Sequence, residues 1–194
     1  MRYASDHNDQ TRTKIVDVAS GLFRERGIPD TGIALIMKSA GLTNGAFYTH
    51  FSGKSELVRE AVSTALVEQC ELFEGALLGG AGFEELVRAY LSPDNRDVAR
   101  EGCASAALIA DVGRGGSELR ATYAAKLDVV VGLIARSLGG PSEENLATGM
   151  MVYASLIGTL QLARASTTVA KSDTILENGV IAALAIAGRV SAAS

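Results

Sequence analysis

Between Gln10 and Arg26 the apolar residues Ile15, Val18, Ala19, Leu22 and Phe23 recur three and four positions apart. That is the period of an amphipathic helix, and Gly27-Ile28-Pro29 supplies its stop. A second, shorter helix is expected over 32–40, with a stripe of Ile33, Ile36 and Met37 and a closing Gly41. Thr43 then caps a helix of about two turns over 44–50 before Phe51-Ser52-Gly53 breaks it. From Ser55 a longer stripe of Leu57, Ala61, Ala65, Leu66 and Cys70 runs to the Gly79-Gly80-Ala81-Gly82 cluster. Beyond it the pattern predicts helices over 83–92, 100–112, 116–138, 142–165 and 172–190, with Ser92-Pro93, 113–116, Gly139-Gly140-Pro141 and 166–172 as breaks. No alternating strand pattern competes, so the expected class is all-α.

Composition agrees. The 194 residues are 47% hydrophobic and 21% charged, with 21 Gly against 3 Pro, which suits helices punctuated by glycine and excludes disorder or collagen. The net charge of −4 is unevenly spread: residues 1–60 hold 8 Lys and Arg against 7 Asp and Glu, and the remainder 10 against 15. Any nucleic-acid contact therefore belongs to the front of the chain.

Two short helices joined by Gly41-Leu42-Thr43 form the layout of a helix-turn-helix. The second would present Thr43, Asn44, Gly45, Ala46, Tyr48, Thr49 and His50 around two apolar anchors, Phe47 and Phe51. Such a face is small and polar enough to approach base edges. The run from Gly27 through Ala40-Gly41-Leu42-Thr43 to Phe47-Tyr48-Thr49-His50-Phe51, followed by Lys54, resembles the N-terminal signature of the TetR-type transcriptional regulators. The resemblance covers about the first 60 residues. It implies Asn44, Gly45 and Ala46 as base-facing positions, Tyr48 and Lys54 as phosphate contacts, and Thr31 as a backbone contact at the entry of the second helix. It also implies a three-helix DNA-binding head over 1–53, a helical effector-binding and dimerisation body over 54–194, and a palindromic double-stranded DNA operator.

In the body, the segment 142–165 carries Leu146, Met150, Tyr153, Ile157 and Leu160 on one face and Ala147, Met151, Ala154 and Gly158 on another. The last helix likewise carries Ile175, Gly179, Ala182 and Ile186 beside Leu176, Val180, Ala183 and Ala187. Two apolar faces need two partners, so a homodimer through the last two helices is expected. The resemblance implies the same interface and an effector cavity above it, with Tyr90, Leu108, Tyr123, Leu127, Met150 and Tyr153 as candidate lining. With Arg120 and Lys126 the basic residues between Gly116 and Val131, a mostly apolar small molecule is favoured over a polyanion. Cys103, expected near the start of a helix and close to Arg100, is placed where a reactive thiol would sit. The Gly-Cys placement is similar to that in a branch of the family that senses electrophiles, which makes an electrophilic effector a further expectation.

Cys70 and Cys103 stand 33 positions apart with His7 and His50 as the only histidines, so neither a metal site nor a disulfide framework is encoded. No cofactor is called for, and no nucleophile or acid–base set converges, so an enzyme is not expected. The N-terminus lacks a secretion signal and a cytoplasmic location is expected. The 19 uncharged residues between Glu144 and Arg164 contain Asn145, Thr148, Ser155, Thr159 and Gln161 and read as a buried helix rather than a membrane span. The alternative reading is a helical protein-interaction adaptor without operator binding, which would leave the 43–51 head unexplained.

Overall fold

The computed structural model describes residues 2–80 and 82–191, and all the regular structure among them is helical. The head is α1 (Arg2–Arg26), α2 (Ile33–Ser39) and α3 (Asn44–Phe47). The body is α4 (Lys54–Leu78), α5 (Phe83–Tyr90), α6 (Pro93–Asp97), α7 (Ala104–Arg114), α8 (Ser117–Ser137), α9 (Glu143–Arg164) and α10 (Val169–Ser191). The expected break at 79–82 is present, although Ala81 lies outside the described residues.

Glycine sets the two corners of the head. Gly27 (φ 82°) ends α1 and Gly41 (φ 71°) ends α2 in the left-handed region that a Cβ disfavours. At Gly41 the closure is a Schellman pair, with Leu42 N–H on the Met37 carbonyl at 2.8 Å and Gly41 N–H on that of Lys38 at 3.1 Å. Thr43 occupies the N-cap position of α3 but its side chain makes no capping bond. The helix closes at Phe47, three residues short of expectation, and the chain continues as turns held by Phe51 N–H on the Phe47 carbonyl.

The other boundaries differ for identifiable reasons. α1 begins eight residues before Gln10, because its polar first turns carry no apolar period to announce it. Ser92-Pro93, read as a break, is a helix start: the Ser92 hydroxyl accepts from Asn95 N–H and proline occupies the first turn, giving the unexpected α6. α7 starts at Ala104 rather than 100 because residues 98–102 close a turn through Gly102 N–H on the Val98 carbonyl. α10 starts at Val169 because Thr168 caps it, its hydroxyl accepting from Lys171 N–H.

Two cores result. The first joins Ile15, Leu22 and Phe23 of α1 to Ile36, Met37, Phe47, Phe51 and Leu57, and reaches Leu108, Val112 and Tyr123 of the body. The second gathers Phe73, Val87, Tyr90, Ile134, Val152, Tyr153, Leu156 and Leu160 with Leu176, Val180 and Ala183 of α10. Leu127 touches both. The head thus shares its core with α4, α7 and α8, and a shift of the body reaches it through packed side chains.

α9 is long and apolar enough to cross a membrane by composition, yet it packs between α8 and α10 with Val152, Leu156 and Leu160 fully buried. The approach of α10 is close: a Cβ at Gly179 would overlap the side chain of Thr159.

Candidate functional site

The head presents α3 outward. Asn44, Gly45 and Thr49 are exposed, Ala46 and His50 half-buried, and Tyr48 is 70% exposed while its neighbour Phe47 is fully buried. Phe47 stacks on Phe51 with centroids 5.4 Å apart and meets Tyr48 edge-on at 5.2 Å, so the two phenylalanines anchor the helix and leave the tyrosine ring free. Exposed Thr43 leaves both its hydroxyl and the first α3 N–H groups available to an oxygen acceptor. The Thr49 hydroxyl is turned back on the Ala46 carbonyl at 2.7 Å.

Charge ties α1 and the turn that follows α3 to the long helix. Glu56 accepts the backbone N–H and hydroxyl of Ser52, at 2.8 and 2.7 Å, and pairs with Arg12 of α1 at 2.9 Å. Those Ser52 donors, with Arg12 behind them, hold its carboxyl below the usual carboxylate range. Arg12 also pairs with Glu60 and lies over the Phe51 ring, 4.3 Å from its centroid.

Two expected contacts are placed differently. Thr31 is fully buried and its hydroxyl donates to the Gly27 carbonyl at 2.8 Å, closing the α1–α2 turn, so its side chain is closed to a phosphate. Lys54 begins α4, one residue before the expected start, but its ammonium donates to the Ile28 carbonyl at 2.7 Å, leaving two of its three N–H donors for a phosphate. It borders a cleft of about 540 Å³ between head and body, together with Arg59, Asp111, Arg114 and Glu118.

A second cavity, of about 360 Å³, lies within the body and is lined by Tyr90 and Cys103 together with Gln69, Leu72, Phe73 and Leu86. Cys103 occupies the N-cap of α7 and its sulfur accepts three hydrogen bonds: from the Tyr90 hydroxyl (2.8 Å), the Gln69 amide (3.0 Å) and Ala106 N–H (3.3 Å). Burial, and after it the neighbouring sulfur, push the Tyr90 hydroxyl well above its ordinary pKa, so it remains a proton donor at neutral pH. Arg100 does not serve the thiol, since it pairs with Glu25 at 3.7 Å. The nearby cation is Arg164, which donates to the carbonyls of Asn95 and Arg96.

The remaining expected lining residues lie elsewhere. Leu108 is core between head and body. Tyr123 and Tyr153 are buried with both hydroxyls donating to Ser105, at 3.1 and 2.8 Å, and Leu127 fills the joint between the cores. Met150 does not line the cavity and is 40% exposed, as is Leu146 in part, because the buried face of α9 runs through Asn145, Gly149, Val152 and Leu156. Sequence reasoning missed Arg24 and Gln69. Gln69 was legible as a polar residue on the stripe between Leu66 and Phe73, whereas Arg24 sits beside Phe23 with nothing to distinguish it from a solvated charge. Among the described residues no group of His, Cys, Asp and Glu is placed to hold a metal ion.

Residues 15–61 match the family model described as bacterial regulatory proteins, tetR family. Over 59 residues the chain is 42% identical to the HTH-type transcriptional regulator AcrR of Shigella flexneri, a match covering 30% of this chain and 27% of AcrR. The chain spans between 27% and 41% of the length of the first curated relatives it matches. The fold extends further: a TetR transcriptional regulator from Chloroflexus aurantiacus superposes with a TM-score of 0.75 at 22% identity, over 98% of this chain and 97% of that one. The reduced form of Escherichia coli NemR superposes with 0.74 at 20% identity, over 91% and 96%. At such identities the likeness is one of fold.

Proposed function

We propose that the chain, whose residues 15–61 match the tetR family of bacterial regulatory proteins, is a cytoplasmic transcriptional repressor of that family that binds a palindromic operator as a homodimer and releases it on taking up a small molecule. The observation that carries this is the outward face of α3, with Asn44, Gly45 and Tyr48 exposed on a helix anchored from behind by Phe47 and Phe51. Small residues let a helix sit deep in the major groove, Asn44 reads an adenine edge, and Tyr48 and Lys54 take phosphates. The partner surface is the outer face of α9 and α10, where Met150, Met151, Leu162 and Ile181 are exposed. The effector enters the 360 Å³ cavity, within the usual size range for small-molecule sites.

A mobility-shift titration against the DNA upstream of the protein's own reading frame tests it. Binding to a two-fold symmetric site is expected. Asn44→Ala costs about 1–3 kcal/mol on that site and little on random DNA, while Lys54→Ala weakens both and lowers the salt slope by about 1. A protein that ignores this DNA at low salt overturns the proposal.

A second observation extends it to electrophiles. Cys103 is the one thiol lining the described cavity, and three donors fix its sulfur there. An electrophile held in that cavity meets a positioned nucleophile.

A further inference from the structure

Arg24 belongs to α1, the first helix of the head, yet its side chain lines the effector cavity of the body. That side chain is only 9% exposed, and Nη1 reaches Glu68 Oε2 at 3.2 Å. Its Nε is buried with no hydrogen-bond partner. A guanidinium N–H shut away from water without an acceptor is costly. The same side chain is among those that line a space large enough for a ligand.

The other polar groups of the cavity are already matched. The Gln69 amide and the Tyr90 hydroxyl serve the Cys103 sulfur, and the Asn95 amide donates to the Tyr90 carbonyl at 2.6 Å. Two carboxylates also line it. Glu101 is exposed, and Glu68, 47% exposed, is the partner Arg24 already has. Both keep access to water, so neither requires a cationic ligand, whereas the buried Nε of Arg24 lacks an acceptor. Leu72, Phe73, Ala76, Leu86 and Ala89 supply the remaining wall, and Leu72 is largely exposed although apolar.

We propose that this cavity takes an apolar carboxylic acid, its carboxylate on Arg24 and its hydrocarbon body against Leu72, Phe73, Ala76 and Leu86. The assignment rests on the regulator reading above and names the effector class of the same site. A carboxylate fits the planar fork of a guanidinium through two parallel hydrogen bonds, which a neutral carbonyl cannot match. It competes with Glu68 for Arg24, and the Arg24–Glu68 pair joins α1 to α4. The ligand therefore acts directly on a tie between the DNA-reading head and the helix that carries it. This revises the expectation from Arg120 and Lys126, neither of which lines the cavity.

The test is calorimetric titration of the full chain with decanoate, methyl decanoate and decanol at neutral pH, paired with operator mobility shifts. Decanoate is expected to bind at least about tenfold more tightly than the ester or alcohol and to release operator DNA. Arg24→Gln is expected to remove the preference for the acid. Glu68→Gln, which leaves the guanidinium without its partner, is expected to strengthen decanoate binding, and it serves as the independent arm should the Arg24 variant fold poorly. Equal affinity for acid and ester, an acid preference that survives Arg24→Gln, or weaker decanoate binding in Glu68→Gln overturns the assignment. Operator binding without any decanoate binding overturns it and leaves the regulator reading intact. Selective decanoate binding by a protein that ignores DNA does the reverse.

Discussion

Asp111, in the last turn of α7, accepts the backbone N–H of Ile28 through Oδ2 at 2.9 Å. The carbonyl of the same residue receives the Lys54 ammonium, so Ile28, between α1 and α2, is gripped from α7 on one side and from α4 on the other. The other end of α7 is capped by Cys103 in the cavity. One short helix therefore links the wall of the 360 Å³ cavity to the backbone of the head. Coupling needs a rigid connection with a defined contact at each end, and α7 has both.

The first prediction concerns that contact. Asp111→Ala leaves the Ile28 N–H unpaired in a partly buried place and frees Arg114, which sits 2.5 Å from the carboxylate. A loss of about 1–2 kcal/mol in urea unfolding is expected. Operator affinity without effector should change little, while the effector concentration needed for release rises. Wild-type stability together with a wild-type effector response would mean that the head is coupled elsewhere.

The second prediction concerns the outer face of α9 and α10. Met151 and Ile181 are 56% and 58% exposed, whereas Ile186, which the sequence pattern places on an apolar face of the last helix, is half-buried against the body core. Met151→Glu and Ile181→Glu should each convert the dimer to a folded monomer, because a carboxylate buried between subunits is left unpaired. Light scattering reads the mass and circular dichroism the fold. Dimers of unchanged mass would move the interface off this face.

Much of this arrangement was legible in the sequence because the signals were local. Gly27 and Gly41 mark turns by their conformational freedom, the Phe47 to Phe51 spacing marks an anchored helix, and Ser142 marks the start of α9, where its hydroxyl accepts from Asn145 N–H. The failures came where meaning depends on what the fold brings near. Thr31 reads as a surface hydroxyl until the turn folds over it, and Met150 as a cavity-lining residue until the rotation of α9 is set by Gly149, where a Cβ would come 3.0 Å from the Val131 carbonyl. Arg24 gains its role only because α4 and the loop before α7 close a cavity beside it.

A third prediction follows from Glu56. Its carboxyl is held below the unfolded value by the Ser52 donors and Arg12, so the folded state binds a proton less readily than the unfolded one. The stabilisation is present above the unfolded carboxylate pKa and is lost as pH falls through the folded value. Glu56→Gln should therefore lower the melting temperature at pH 7 and bring it closer to wild type below pH 4. A constant difference across that range would assign the effect to packing rather than charge.

The last prediction separates the two thiols. Burial pushes the Cys70 thiol up, and its sulfur lies 4.0 Å from the Lys126 carbonyl, outside the cavity lining. Cys103 instead borders the cavity with its sulfur fixed by Tyr90, Gln69 and the α7 backbone. Iodoacetamide should alkylate Cys103 first: a sulfur–carbon bond forms, iodide leaves and the thiol proton passes to solvent. The added amide cannot occupy the sulfur's place without displacing Tyr90 or Gln69, so the N-terminus of α7 shifts and operator DNA is released. Cys103→Ser should keep DNA binding, since a hydroxyl oxygen accepts from the same donors, while losing the response; Cys70→Ser should retain it. Peptide mass mapping identifies the modified residue and a mobility shift reads the release. Release that persists in Cys103→Ser, or a Cys103 that stays unmodified in the folded protein, would leave reversible ligand binding as the sole trigger.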